Sequence, residues 1–339
     1  MKEETKHSIY KLGLKFVLLV VVLVALNFLY SKTLYLKDLE ENCTLMPLSE
    51  LAAKEKADIV YIGESSDITY SKNDKDNSRI SGFLGKNFPQ YVTSSLSKSA
   101  CHAGVYYDVL RNIPDSSQVK IAVVTVNMRS FSSEWIYSEL ETALQKEQIF
   151  MKKVPPLIKR GLIAFKAYNH WSERERMELV VNGFKKQTFS LPYEFPFRSA
   201  YDWDLNMSSK TSMPQDSITI ACHYIKNFAY QLNADNPRIK DLDKIVKLCK
   251  QRNWKLVFNI LPDNVEQIQR LVGNDLVTLM NQNAQYIINR YAPLGVIVVN
   301  NQTVLSDAEF IERKFPSEHY IQSGRERVAK NIATAIRAN

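Results

Sequence analysis

Four cysteines in 339 residues, Cys43, Cys101, Cys222 and Cys249, stand far apart, with no Cys-x-x-Cys pair among them. Their spacing excludes a compact disulfide or thiolate framework. A disulfide is permitted in an exported compartment, with every full pairing left open. Cys249 lies in "KIVKLCKQ" among helical apolar positions, where cysteine behaves as plain core. The triplet Ala-Cys-His occurs twice, at Cys101-His102 and Cys222-His223. Two such dipeptides could build a metal site, but adjacent side chains on a strand point to opposite faces and chelate poorly, so no metal is expected. Also missing is any motif that reads RNA or DNA. The formal charge of +8 and the pI near 9.1 suit a membrane face or an acidic polymer, and nucleic acid is not expected as a partner. There is no internal repeat, and the only low-complexity stretch is the polar "SKNDKDNS" at 71–78, which reads as an exposed loop.

What is present is an ordinary globular composition, 45% hydrophobic and 24% charged, long enough for one large domain or two smaller ones. One segment is strongly biased. Residues 12–30, "LGLKFVLLVVVLVALNFLY", are interrupted only by Lys15 and Asn27 and have about the length a bilayer core requires. Lys2, Lys6, Lys11 and Lys15 surround its start, which keeps the N-terminus cytoplasmic and carries the rest of the chain across the membrane. The rival is a cleaved signal peptide, whose apolar centre is shorter and is followed by a small-x-small site. No such site follows Ala25, which favours an uncleaved anchor.

Past that segment, short β-branched runs alternate with longer amphipathic ones, the pattern of an α/β domain with a mainly parallel sheet. Strands are expected at 58–62, 119–126, 255–260 and 295–300, and a fifth near 91–98. In "NPRIKDLDKIVKLCKQRN" Asn236 is placed to cap a helix that starts at Pro237 and buries Ile239, Leu242, Ile245, Val246 and Cys249. A last helix at about 324–337 aligns Val328, Ile332 and Ile336. Residues 131 to about 215 break the rhythm with helical patterns and the aromatic "FSLPYEFPFRSAYDWD". They read as an inserted helical cap. Trp135, Trp171, Tyr193, Phe195, Tyr201 and Trp203 form either a substrate platform or ordinary packing. The chain thus divides into a cytoplasmic N-terminus (1–11), a transmembrane anchor (12–30), a lead-in (31–57) and an α/β domain (58–339) carrying the insertion.

In open α/β sheets ligands sit beyond the carboxyl ends of the strands. Gly63, Glu64, Ser65 and Ser66 follow the first strand, Asn127 and Arg129 the third, and Pro262, Asp263 and Asn264 the fourth. Beyond the last strand stands "FPSEHYIQSG" with His319 just ahead of the closing helix. Each has a plain alternative: a serine capping a helix, an asparagine in a turn, a solvated histidine. Together they are the inventory of serine-based acyl chemistry, a nucleophile, a base and neutral donors for an oxyanion.

That order resembles the SGNH (GDSL-type) hydrolase superfamily, whose four blocks supply Ser, Gly, Asn and His in sequence. "IVYIGESSDIT" is similar to the first block, with Glu64 where Asp usually stands, and makes Ser65 the implied nucleophile. Gly104 in "ACHAGVYYD" and Asn127 in "VVTVNMRSF" are similar to the second and third blocks and are the implied oxyanion donors with the Ser65 N–H, although Thr125 stands where the third block has glycine. "SEHYIQSGRERVA" places His319 five residues before Gly324, as the last block does. The acid expected three residues before the histidine is replaced by Pro316. Glu318 is the nearest substitute, with Asp307, Glu312 and Asp263 as other candidates. The resemblance covers about 58–337 and implies a three-layer α/β/α, flavodoxin-like sheet. It implies no cofactor. It also implies a serine esterase or O-acyltransferase of the bacterial cell envelope, held at the inner membrane with its domain extracytoplasmic and acting on an acylated polysaccharide or another ester. An integral-membrane acyltransferase is a possible partner, and Arg129 a candidate for binding an anionic glycan. The other reading is a catalytically silent module of the same fold that binds glycan or such a partner.

Overall fold

The computed structural model describes residues 3–339; Lys2 lies outside the described residues. The chain forms two compact units, one running from the N-terminus to Met46 together with Gln145–His170, the other comprising Pro47–Leu144 and Trp171–Asn339.

The larger unit is built on five parallel strands, β1 (Ile59–Ile62), β2 (Thr93–Ser95), β3 (Ile121–Val126), β4 (Lys255–Ile260) and β5 (Ile297–Asn300), in the order β2-β1-β3-β4-β5. Every residue of β1 and β3 is buried, which is why both read as unbroken β-branched runs: a parallel sheet is covered on both faces. Ile59, Tyr61, Ile121, Val123, Val257 and Val299 form one core cluster with Ile80, Phe83 and Leu84 of the helix Ile80–Asn87 and with Val328, Ile332 and Ile336 of the closing helix Gln322–Ala338. Each such side chain contributes about 1.5–3 kcal/mol by leaving water. On the opposite face Phe258 meets Tyr291 of the helix Asn274–Tyr291 edge-on, with ring centroids 5.0 Å apart. The Tyr291 hydroxyl donates to the Ile239 carbonyl (3.2 Å) in the helix Pro237–Gln251. In that helix the Asn236 side chain accepts from the Arg238 N–H as the cap, and Ile239, Leu242, Ile245 and Cys249 are buried while Val246 is half-buried.

Polar side chains cross the first face beneath the carboxyl ends of the strands. Tyr61 Oη accepts from Thr125 Oγ1 (3.3 Å) and Asn259 Nδ2 (3.4 Å), Asn301 Nδ2 donates to Asn259 Oδ1 (2.8 Å), and Asn331 Nδ2 donates to Asn301 Oδ1 (2.7 Å). The 71–78 segment is an irregular loop with no buried residue, as expected, and it is tethered. Fully buried Arg325 donates to the carbonyls of Ser78 and Asp76 (both 3.0 Å) and to Asp74 Oδ2 (2.9 Å), tying that segment to the closing helix.

Between 131 and 215 the chain is largely helical, with no strand, and it is shared between the two units. Gln145–His170 belongs to the smaller unit with the N-terminal helix Glu3–Thr33, and the rest to the larger. The aromatic residues are dispersed as well. Phe189, Phe195, Phe197 and Trp203 pack on one another, Trp171 packs edge-on against Tyr137, Tyr201 lies under Lys185, and the Tyr193 hydroxyl donates to Asp275. In the smaller unit His7–Thr33, mean hydropathy 2.6 over its most apolar window, is long and apolar enough to cross a membrane.

Candidate active site

β1 delivers Gly63 into a space with no room for a side chain: a Cβ there would lie 2.9 Å from Thr125 Oγ1 and 3.0 Å from Tyr61 Cε1. The chain then turns into the short helix Ser65–Ile68, held from below by buried Asp67, which accepts from the Ser81 N–H (2.8 Å) and the hydroxyls of Ser81 (3.0 Å), Ser95 (2.7 Å) and Ser97 (2.8 Å). This fixes Ser65 at the carboxyl edge of the sheet. From the far end of the chain, a bridge between Phe310 and Tyr320 and a hydrogen bond from the Ile311 N–H to the His319 carbonyl (2.9 Å) fold 310–320 back on itself.

The two segments meet. His319 Nε2 lies 2.9 Å from Ser65 Oγ, and His319 Nδ1 lies 2.9 Å from Glu312 Oε2. The Ser317 hydroxyl also donates to that Glu312 oxygen (2.9 Å), steadying the carboxylate. A hydroxyl, an imidazole and a carboxylate in this series let the ring accept the hydroxyl proton through Nε2 while Nδ1–H stays with the acid.

Glu318 is not the acid that orients the ring. As the immediate neighbour of His319 it points the other way, into the interior, where its Oε2 accepts from Arg129 Nη2 (2.5 Å) and Asn127 Nδ2 (3.0 Å). Burial raises its pKa and outweighs the opposing pull of Arg129. Burial, with Glu318 nearby, also pushes Asp263 well above the usual carboxylate range. Arg129 lines the cleft but is no free cation for an anionic glycan: its guanidinium is committed to Glu318 and to the Pro316 carbonyl (2.6 Å) and stacks over Trp135, 4.5 Å from the ring centroid.

The expected oxyanion donors are present but engaged. The N–H groups of Ser65 and Ser66 donate to the Glu64 carboxylate (2.9 and 3.2 Å), whose Oε2 lies 2.8 Å from Ser65 Oγ and competes with His319 Nε2 for the single hydroxyl hydrogen. The Gly104 N–H donates to His102 Nδ1 (3.1 Å), and a Cβ on Gly104 would lie 2.7 Å from Asp241 Oδ2. Asn127 gives one amide hydrogen to Glu318 and keeps the second. The Glu64 carboxylate therefore occupies the N–H groups of Ser65 and Ser66 that an oxyanion would need. If that carboxylate opposes the developing charge, Glu64→Gln, which keeps an acceptor for the helix N-terminus, should speed covalent labelling of Ser65 several-fold. A rate constant that falls instead would make Glu64 a helper of the nucleophile.

A cleft of 380 Å³ opens over Ser65 and His319, lined also by Ser99, Asn127, Trp135 and Phe315. Of the aromatic residues proposed as a platform, only Trp135 lines it. Sequence reading singled out His102 only as a metal ligand, yet it forms one wall of the cleft with Glu141 and Arg238. His102 Nε2 lies 3.0 Å from Glu141 Oε1, which also receives Arg238 Nη2. Burial, then the Arg238 charge, lowers the His102 pKa. Burial works to raise Glu141, but the hydrogen bond from His102 and the Arg238 charge leave it lowered. The repeated Ala-Cys-His triplet did draw attention to His102; nothing local in the sequence tied it to Glu141 or Arg238.

No protein-family model matches the chain, and no curated protein matches it.

Proposed function

We propose that the protein is a membrane-anchored serine esterase or O-acyltransferase of the SGNH type, working through an acyl-serine intermediate. The observation that carries this reading is the contact of Ser65 Oγ with His319 Nε2, backed by Glu312 at Nδ1. His319 takes the Ser65 proton as Oγ bonds to the ester carbonyl carbon. The tetrahedral adduct collapses, the C–O bond to the leaving alcohol breaks, and His319 returns the proton to that alcohol. Attack by water on the acyl-serine gives hydrolysis; attack by a sugar hydroxyl gives transfer. The remaining Asn127 amide hydrogen, and the Ser65 N–H once Glu64 withdraws, serve the oxyanion. The strand order β2-β1-β3-β4-β5 supports a flavodoxin-like reading of the sheet, in which ligands bind at the carboxyl edge. An N-terminal helix that carries Lys6, Lys11 and Lys15 at the start of its apolar run favours a bacterial inner-membrane location with the larger unit extracytoplasmic, near acylated envelope polysaccharides.

The test is a fluorophosphonate, which phosphonylates an activated serine. Full-length protein in detergent should gain one adduct by mass, on the peptide that holds Ser65. A second reading, a binding module that forms no adduct, draws support from the engaged N–H groups of Ser65 and Gly104. A folded sample that stays unmodified at high probe concentration would favour it.

A further inference from the structure

We infer that residues 152–168 are a second membrane element, whose helix Pro156–Ala164 lies within one phospholipid leaflet beside the N-terminal helix, its apolar stripe against acyl chains. The inference rests on reading the N-terminal helix as membrane-spanning. Pro155, Leu157 and Ile158 line one groove of 280 Å³ with Val20, Leu23, Val24 and Asn27. Those four residues sit inside the apolar run 12–30, which at about 1.5 Å per residue matches a hydrocarbon core of about 30 Å. Side chains sharing a groove with the middle of that run share its depth.

Asn27 makes the same point by hydrogen bonding. With Lys15 it is one of the two polar interruptions of the run, and its Oδ1 accepts from the Leu157 N–H (3.0 Å). That N–H belongs to the first turn of the short helix, where no intrahelical acceptor exists, so each group answers a need that lipid cannot meet.

Ile158, Leu162 and Phe165 recur at helical spacing on one side, and Ile158 and Phe165 are 51% and 88% exposed. Such a stripe is a liability in water and the favourable face of a helix lying in a leaflet. The polar side is anchored instead. Lys159 Nζ donates to the Tyr35 hydroxyl (2.9 Å) and the Phe150 carbonyl (2.6 Å), and Arg160 pairs with Asp38 (3.3 Å). Exposed Lys152, Lys153 and Lys166 flank the helix, suited to lipid phosphates.

Full-length protein with Cys222→Ser, which leaves only buried cysteines, would carry Ile158→Cys, Phe165→Cys or Val21→Cys, each labelled with a nitrobenzoxadiazole dye. Reconstituted into phosphatidylcholine–phosphatidylglycerol vesicles, the dyes at 158 and 165 should be quenched by acyl-chain nitroxide lipids to within about two-fold of the dye at 21. Quenching at 21 without quenching at 158 and 165 would overturn the second element and spare the anchor. Blue-shifted, unquenched emission at 165 would mean that a protein surface covers the stripe, which also overturns it. Loss of quenching at all three sites would remove the anchor and the proposal together.

Discussion

Ser65→Ala is expected to lower kcat/KM for a small acetyl ester by roughly 10³-fold or more, and His319→Ala by a comparable factor. The double variant should be no slower than either single one. Groups that act as one unit lose their joint effect when either is removed, because an imidazole 2.9 Å from an absent hydroxyl has no proton to take. Glu312→Gln should cost less, roughly 10²-fold, since the ring keeps its contact with Ser65 and loses only the carboxylate that orients it. Steady-state kinetics of the wild type and the four variants, with circular dichroism to confirm folding, decides the matter. Multiplying losses in the double variant would separate the two residues and defeat the relay.

Arg129→Met should destabilise the larger unit by about 3–5 kcal/mol, because it leaves the Glu318 carboxylate buried without its cation. The effect has a definite pH signature. Glu318 holds its proton more tightly in the folded protein than in the unfolded chain, so its contribution to stability is full below the ordinary glutamate pKa and declines as pH rises through the raised, folded value. Removing Arg129 raises that value further. The deficit relative to wild type should therefore shrink towards pH 4–5, about the ordinary carboxylate pKa, and grow as pH rises through the raised, folded value. Adding Glu318→Gln to Arg129→Met should recover much of the loss, since no charge is then buried. Chemical denaturation in detergent across that range measures all three; a deficit independent of pH and of Glu318 would mean that Arg129 acts through packing on Trp135 alone.

The parts of this architecture legible in the sequence are those fixed by local pattern. β1 and β3 announce themselves as continuous β-branched runs, and Asn236-Pro237 as a helix start, because burial on both faces and the capping of free N–H groups leave direct residue signatures. The approach of Ser65 to His319 was legible through topology, both lying at the carboxyl edge of the sheet. The choice of acid was not. Glu312 and His319 are seven residues apart and meet only because the Phe310–Tyr320 bridge folds the segment on itself, a pairing with no turn signal as plain as Asn-Gly. Glu318 was favoured by nearness in sequence, yet adjacent side chains on extended backbone point apart, and one carboxylate cannot serve both ring and interior. The division of the 131–215 insertion was hidden for a related reason, since a helix in either unit shows the same periodicity.

The chain of amides and hydroxyls from Tyr61 through Thr125, Asn259 and Asn301 to Asn331 bears on how the molecule avoids misthreading. Were β4 to slide one position along β3, Asn259 would exchange places with an aliphatic neighbour and bring its amide among hydrocarbon on the far side of the sheet. Each partner left wanting there costs about 1–3 kcal/mol. Hydrophobic contact alone tolerates such slippage; a sequence of matched donors and acceptors spanning three strands and a helix does not. Correct assembly of the sheet is thereby proofread from within, one layer beneath the place where its two ends must meet.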